Sequence, residues 1–240
     1  MKHIENYEVR WYETNAARML RPSALLALMQ ETANLQFERA GRSLDVLRDE
    51  KGLAFILGRL ALDMPAPLFA YDKVSVATFT CPSHGYGFMR GFEVRRGDEI
   101  VARGASQWAL IDVATRRMTP VEKAPFAFED EPLAATASPL RFSVPSDAVF
   151  TPVGERRVSY ADIDYNGHMN NARYPDMVCD FLPDPAAVRV TGLSLSYVKE
   201  APYGSVLTIA RAGGEGGVFF FRAACGDVLC LEARVGTKPL

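Results

Sequence analysis

The feature that most constrains the fold of this chain is a repeat, because one order of predicted elements occurs twice in its 240 residues. A strand, a helix and a run of hairpin-connected strands precede a proline-rich segment, and a strand, a shorter helix and further strands follow it. Placing Val9 on Val158 aligns the two copies at an offset of 149 residues. This order predicts a duplicated α+β unit, in which each curved antiparallel sheet wraps around a mostly buried helix.

The helix of the first copy is predicted over residues 23–41, where the apolar positions leave little polar face in the first half. Ser23 is the predicted N-cap, and Gly41 is predicted to follow the C-cap. The strands of this copy are predicted at 7–11, 53–63, 72–81, 86–96 and 99–112. Gly97 and Asp98 predict a tight hairpin between the last two strands.

The second copy repeats this order with a shorter helix, predicted from about Asn171 to Phe181. Pro175 fits only within the first turn of that helix. The strands of this copy are predicted at 156–160, 188–200, 205–212, 217–225 and 227–236. Both copies therefore present a helix followed by antiparallel strands.

Six prolines between residues 119 and 152 exclude a continuous helix or a central strand, since each removes a backbone donor and fixes φ. This segment is predicted to cross the surface between two domains. We therefore predict an N-terminal domain at 1–125, a linker at 126–148 and a C-terminal domain at 149–240.

Composition excludes several classes of function. A net charge of −2 gives no sign of the concentrated basic face that nucleic-acid binding needs. The first residues mix charges without an apolar run, which argues against a secretory signal, and the apolar stretch 25–29 is too short to span a bilayer. The four cysteines form no C-x-x-C pair, so we expect reduced thiols, no metal or cofactor, and a cytoplasmic location.

The stretch DIDYNGHMNNARY at 162–174 concentrates the polar groups that chemistry needs. In an extended segment Asp164, Asn166 and His168 would point to one side, and Gly167 would let the backbone leave the strand. At the 149-residue offset the aligned pairs are Asn15 with Asp164, Ala17 with Asn166, and Met19 with His168. The scaffold therefore does not require the amide and the imidazole, which favours a functional role for them.

Together with three other segments, this stretch resembles the acyl-acyl carrier protein thioesterases that have two tandem hot-dog domains. The matching segments are 9–34, 102–120, 162–174 and LSLSYVKEAPYGS at 193–205. The resemblance implies an α+β, double hot-dog fold. It also implies hydrolysis of the thioester of fatty acyl-acyl carrier protein, which releases free fatty acid and ends chain elongation.

The resemblance further implies that Asp164, Asn166 and His168 are catalytic, with Glu200 as a fourth participant. In plant members a cysteine commonly follows that glutamate. Ala201 stands at this position here, so a mechanism built on a cysteine there is excluded.

Two routes of hydrolysis stay open at this stage. Glu200 or Asp164 would act as general base for water, or Asp164 would attack directly and form a mixed anhydride. His168 would orient a carboxylate or protonate the departing thiolate, and Asn166 would hold the carbonyl or the water. Backbone N–H groups at the start of the following helix would stabilise the oxyanion.

The first domain, lacking this cluster, is predicted to hold the acyl chain in an apolar slot. Its candidate lining residues, which would also serve as ordinary core, are Trp11, Met19, Leu26, Met29 and Trp108. Because carrier proteins are acidic, a basic docking surface is expected. The candidates are the arginine pairs at 95–96, 116–117 and 156–157, with Arg39, Arg42 and Arg48.

Three alternatives remain beside hydrolysis of carrier-bound acyl chains. A hot-dog hydratase usually has a proline before the histidine, and Gly167 at that position favours hydrolysis. An acyl-CoA thioesterase would use the same chemistry with a nucleotide handle. A non-catalytic acyl-thioester sensor would need no reactive cluster. The chain is expected to be a monomer or a homodimer.

Overall fold

The computed structural model describes residues 2–164 and 166–240, so Met1 and Tyr165, the latter inside the polar stretch, lie outside the described residues. The helices are α1 (Pro22–Arg39), α2 (Leu44–Asp49) and α3 (Tyr174–Asp180). The strands of the first half are β1 (His3–Glu8), β2 (Leu53–Asp63), β3 (Lys73–His84), β4 (Gly87–Arg96), β5 (Glu99–Asp112) and β6 (Met118–Thr119). Those of the second half are β7 (Thr151–Arg157), β8 (Val188–Tyr197), β9 (Val206–Gly213), β10 (Val218–Cys225) and β11 (Val228–Pro239).

In the described residues these strands form one eleven-stranded antiparallel sheet. Its order is β1-β3-β4-β5-β2 in the first half and β8-β11-β10-β9-β7 in the second, with β6 paired to β5. Read inward from each outer edge, the two halves have the same order of strands. They join where β2 pairs with β8, from Arg59 opposite Ser196 to Asp63 opposite Gly192. The sheet order therefore confirms the predicted duplication.

The hydrogen bonds confirm the predicted alignment of the copies. The N–H of Val9 donates to the carbonyl of Asp72 at 2.9 Å, and the N–H of Val158 donates to that of Ser205 at 2.8 Å. Both valines are fully buried. The offset of 149 residues thus relates equivalent backbone positions.

The strands predicted at 7–11 and 156–160 are wrong in the same way in both copies. β1 and β7 end at residues 8 and 157, and a one-turn 3-10 helix follows each, at Trp11–Glu13 and Tyr160–Asp162. In both turns the acidic third residue accepts the backbone N–H of the residue before the turn. This bond satisfies a backbone N–H that would otherwise lack a partner, and it favours the turn over a continuation of the strand.

Helix α1 begins before the predicted N-cap Ser23, which is a correction. Arg21 is the N-cap and Pro22 opens the helix, where its fixed φ is favourable and its missing N–H costs nothing. Ser23 instead hydrogen-bonds Asp176 of α3 through its hydroxyl and its N–H. Gly41 follows the C-cap with φ +68°, as predicted.

The second helix has the predicted form, since a 3-10 turn at Asn171–Arg173 runs into α3 with Pro175 in its first turn. The halves differ after it. The first half inserts α2 before β2, whereas residues 181–187 of the second half form only turns before β8. Among the described residues, no helix is long and apolar enough to cross a membrane.

Residues 124–150 contain neither helix nor strand. This segment lies against the sheet, because Asp63 of β2 accepts the backbone N–H groups of Ala137 and Ser138. Phe126 and Phe128, which belong to this segment, are half-buried. The segment therefore contributes side chains to the first half while it connects the two.

Candidate active site

The polar stretch forms a tight turn, not the extended segment that the alternating side chains suggested. The N–H of Asp164 donates to the carbonyl of His168 at 3.1 Å, and the N–H of Gly167 donates to that of Asp164 at 3.0 Å. Gly167 has φ +87°, a conformation that favours glycine. The turn brings the side chains of Asp164 and Asn166 to the wall of one cavity.

The first half contains the same turn with other side chains. Asn15 takes the place of Asp164: its N–H donates to the carbonyl of Met19 at 2.8 Å, and its Oδ1 accepts the N–H of Ala17 at 3.0 Å. Asp164 Oδ1 likewise accepts the N–H of Asn166 at 2.8 Å. The turn therefore forms with Ala17 and Met19 in place of Asn166 and His168, so the backbone does not require the amide and the imidazole at these two positions.

Glu200 lies against His168, the residue that ends this turn. Oε1 of Glu200 is 3.4 Å from Nε2 of His168, and its Oε2 is 3.5 Å from a guanidinium nitrogen of Arg116. The segments are held in register because the N–H of Met169 donates to the carbonyl of Ala201 at 2.9 Å. Each oxygen of the glutamate thus faces one nitrogen, and Arg116 comes from the β5–β6 hairpin of the first half.

Two neighbouring polar residues have structural partners. Asp162 is buried and accepts hydrogen bonds from Arg156 at 2.7 Å and from the N–H of Ser159 at 2.9 Å. Asn170 Oδ1 accepts the N–H of Ala172 at 2.8 Å, which caps the 3-10 turn before α3. That N–H is therefore not directed at a ligand.

A cavity of about 400 Å³ extends from Asp164 and Asn166 into the first half. This volume falls within the range typical of small-molecule sites. Six aromatic side chains line its apolar part: Phe37, Phe55, Phe88, Trp108, Phe126 and Phe128. Phe37 makes edge-on contacts with three of these rings at centroid distances of 5.1 to 5.7 Å. The geometry favours a hydrophobic ligand with a polar group at the turn.

The five residues predicted to line the acyl slot have different environments. Trp108 lines the aromatic cavity, whereas Met19 lines a separate cavity of about 360 Å³. Leu26 and Met29 are 1% and 0% exposed and belong to the core beneath α1. Trp11 is 72% exposed because it lies in the 3-10 turn after β1. Of the five, only Trp108 adjoins Asp164 and Asn166 in this cavity.

Arg90 is a wall residue that the sequence analysis missed. It is 6% exposed, and its guanidinium donates to Gln36 Oε1 at 2.6 Å and to Thr78 Oγ1 at 2.9 Å. It also lies 5.4 Å from the ring centroid of Phe37. Burial lowers the pKa of Arg90 to about 10, so it stays charged at neutral pH. Because side chains alternate along β4, Arg90 lies on the same face as Phe88. This alternation is the sequence feature that could have identified Arg90 as a wall residue.

Cys179 does not line the cavity that contains Asp164 and Asn166. It lies on α3 and lines the separate cavity that contains Met19. Burial raises the pKa of its thiol, which disfavours the thiolate that a nucleophile needs. In the described residues no disulfide is present, and no group of three or more His, Cys, Asp or Glu side chains could hold a metal ion.

Two of the arginines considered for docking lie at the turn and its glutamate. Arg48 of α2 donates from Nη1 to Asn166 Oδ1 at 2.5 Å and lines the aromatic cavity, and Arg116 adjoins Glu200. Others face acidic side chains elsewhere: Arg39 faces Glu5, Arg96 faces Asp72 and Glu99, and Arg156 faces Asp162. The first half thus supplies two cationic side chains to residues of the second half.

Comparison with known families agrees with this arrangement. The acyl-ACP thioesterase N-terminal domain matches residues 1–127, and the acyl-ACP thioesterase C-terminal domain matches residues 152–222. The chain belongs to the acyl-ACP thioesterase family. The second of these matches includes the turn and Glu200.

Relatives in this family include two chloroplastic palmitoyl-acyl carrier protein thioesterases. The protein from Gossypium hirsutum is 24% identical, over 95% of this chain and 60% of its own length. The one from Arabidopsis thaliana is 25% identical, over 94% of this chain and 58% of its own length. This chain therefore spans about three fifths of the length of these curated relatives.

Solved structures show the same architecture. An acyl-ACP thioesterase from Bacteroides thetaiotaomicron superposes with a TM-score of 0.88 at 21% identity, covering 99% of this chain and 98% of that one. The 12:0-ACP thioesterase from Umbellularia californica gives a TM-score of 0.82 at 22% identity, covering 100% and 94%. The predicted double hot-dog fold of this family member is thereby confirmed.

Proposed function

We propose that this protein hydrolyses the thioester of fatty acyl-acyl carrier protein, releasing free fatty acid and ending chain elongation. One observation carries the proposal: a single cavity joins the polar turn at Asp164 and Asn166 to six aromatic side chains. An acyl thioester has this division, with one reactive polar group on an apolar chain. The carrier-protein part of the proposal comes from the similarity to two palmitoyl-acyl carrier protein thioesterases.

The acyl chain would occupy the aromatic part of the cavity. Removing its methylene groups from water is favourable by roughly 0.8 kcal/mol each when burial is complete. Phe126 and Phe128 of the connecting segment close this part of the wall, so the segment acts in binding as well as in connection. The thioester then lies at the turn, where the side chains of Asp164 and Asn166 line the same cavity.

Glu200 would act as general base for the attacking water. Its Oε1 lies 3.4 Å from Nε2 of His168, and Arg116 adjoins its second oxygen, an arrangement that orients the carboxylate. The base takes a proton as the water oxygen bonds to the acyl carbon. The tetrahedral intermediate then collapses by breaking the C–S bond, and the proton that Glu200 took passes through His168 to the departing thiolate.

The competing route, in which Asp164 attacks to form a mixed anhydride, is less favoured by the geometry. One oxygen of Asp164 accepts the N–H of Asn166 at 2.8 Å, so this oxygen is held within the turn. Asn15 makes the equivalent bond in the first half, where no reactive cluster exists. We therefore assign Asp164 first to shaping the turn and Glu200 to activating water.

The carrier protein would approach the side of the molecule where Arg48 and Arg116 adjoin the polar turn and Glu200. Acidic partners are steered toward such cationic groups, and the effect weakens with salt. We keep the cytoplasmic location as part of this proposal. The four free thiols suit a reducing compartment.

The test is thiol release from a panel of acyl-carrier-protein thioesters of medium to long chain, with the matching acyl-CoAs in parallel. Turnover of the carrier-bound substrates that is lost in His168→Ala is expected. Turnover of the acyl-CoAs alone would show that the substrate is bound to coenzyme A and not to the carrier protein. Binding of both classes without turnover would contradict the enzymatic function and support the sensor alternative.

A further inference from the structure

Arg48 of the first half contacts a candidate catalytic side chain of the second half. Its Nη1 donates to Oδ1 of Asn166 at 2.5 Å, across 118 residues of sequence, and both side chains line the aromatic cavity. Helix α2 holds the arginine in place. Ser43 caps the helix by accepting the N–H of Val46, and Leu47 is buried. The backbone that carries the Arg48 side chain is therefore held in place.

This contact decides which end of the Asn166 amide is available to a substrate. A carboxamide has one accepting oxygen and one donating NH₂ group, and here the oxygen is bound to a cation. The backbone of Asn166 is also fixed, because its N–H donates to Asp164 Oδ1 at 2.8 Å. Because the side-chain oxygen and the backbone N–H of Asn166 are both hydrogen-bonded, its NH₂ group is the part that can face a ligand. The positive charge polarises the amide and makes this NH₂ a better donor.

The asymmetry between the halves supports a role for this helix. The first half has α2 at the position where residues 181–187 of the second half form only turns. The aligned turn of the first half has Ala17 where the second has Asn166, and its amide, that of Asn15, is bound within the turn. The inserted helix thus contacts, through Arg48, the turn that has an amide at this position.

We infer that Arg48 is a positioning residue that orients the Asn166 amide as the donor for the thioester carbonyl and its oxyanion. This inference rests on the proposed hydrolytic function. Asn166 is the group that contacts the substrate, and Arg48 acts through it. The first domain therefore completes the reactive site in addition to holding the acyl chain.

A double-mutant cycle on one acyl-carrier-protein substrate tests this inference. Asn166→Ala is expected to lower kcat about 100-fold or more, the usual cost of losing an oxyanion donor. Arg48→Gln is expected to lower kcat about tenfold or more, a larger change than any rise in KM from weaker attraction of the acidic carrier, and Arg48→Lys to recover part of the loss in kcat. In the Asn166→Ala background Arg48→Gln is expected to change kcat less than twofold, because the amide through which it acts is gone.

Lys51→Gln is the matched control, since it removes the same charge from an exposed residue just beyond α2 and is expected to leave kcat unchanged. Melting temperatures of all variants are recorded, so that loss of folding is separated from loss of rate. Multiplicative effects of the two substitutions, or an Arg48→Gln effect on KM alone, would overturn the positioning role. An inactive wild-type protein would instead overturn the proposed function itself.

Discussion

Asp164 and Asn15 occupy the same position in two copies of one turn, and the Oδ1 atom of each accepts the backbone N–H two residues further on. The distances are 2.8 Å to the N–H of Asn166 and 3.0 Å to that of Ala17. An asparagine therefore performs the structural task of the aspartate within the same molecule. This equivalence allows the structural and chemical roles of Asp164 to be separated by experiment.

Asp164→Asn is expected to leave the free energy of unfolding within about 0.5 kcal/mol of wild type, because the turn bond is kept. Asp164→Ala is expected to cost about 1 kcal/mol through loss of that bond. If water attacks under the control of Glu200, Asp164→Asn lowers kcat only about tenfold. Denaturant unfolding and steady-state hydrolysis measure the two effects. A loss of kcat beyond 1000-fold in a stable Asp164→Asn protein would support attack by the aspartate instead.

His168 and Glu200 are expected to act as a unit, since their side chains are 3.4 Å apart. Each of His168→Ala and Glu200→Gln should lower kcat about 100-fold or more, as expected for lost acid–base catalysis. The double variant should lose little more than the worse single variant, because residues that share one function are not additive. Independent, multiplicative losses in the double variant would show that the two groups act in separate steps.

Arg116 is expected to make a small, salt-dependent contribution through Glu200. The pair is exposed and 3.5 Å apart, and such pairs contribute about 1 kcal/mol or less. Arg116→Gln should therefore lower kcat/KM about two- to fivefold at low salt, and the difference from wild type should shrink at high salt. The neighbouring exposed Arg117→Gln serves as the control with the same charge change. Equal effects of both substitutions would point to general attraction of the carrier and not to Glu200.

Phe126 should matter for acyl binding although it lies in the proline-rich segment. It contacts the rings of Phe37, Phe55 and Phe88 in the wall of the cavity. Phe126→Ala is expected to raise KM for acyl substrates about fivefold, since roughly 1 kcal/mol of apolar contact is lost. Phe142→Ala is the matched control, because that ring contacts Phe220 outside this cavity. An unchanged KM in Phe126→Ala would exclude this segment from the binding wall.

The sequence was most informative where periodicity and local signals agreed. β2 and β5 have the predicted bounds, and α1 ends before Gly41 as its conformation requires. The first strand of each half ends earlier than predicted. Val9 and Val158 are buried although they lie beyond the strands, just before turns that acidic side chains close. A pattern of alternating residues does not distinguish a strand from such a turn.

The candidate site was predicted in part. The reactive residue types stand in one short stretch, so Asp164, Asn166 and His168 could be proposed as site residues from the sequence. The wall of the cavity could not be predicted in the same way. It combines α1, β2, β4, β5 and the proline-rich segment, which only the tertiary fold brings together. Leu26 and Met29 were expected there from their type alone, yet they pack in the core. Likewise, nothing local relates Arg48 to Asn166.

The most direct test compares equivalent substitutions in the two copies of the turn. Free fatty acid release from one acyl-carrier-protein substrate is measured for wild type, His168→Ala and Met19→Ala, with folding checked by thermal melting. We predict a loss of 100-fold or more in kcat for His168→Ala and a change of less than threefold for Met19→Ala. Full activity in a folded His168→Ala protein, or equal losses in both variants, would contradict placing the hydrolytic site in the second half.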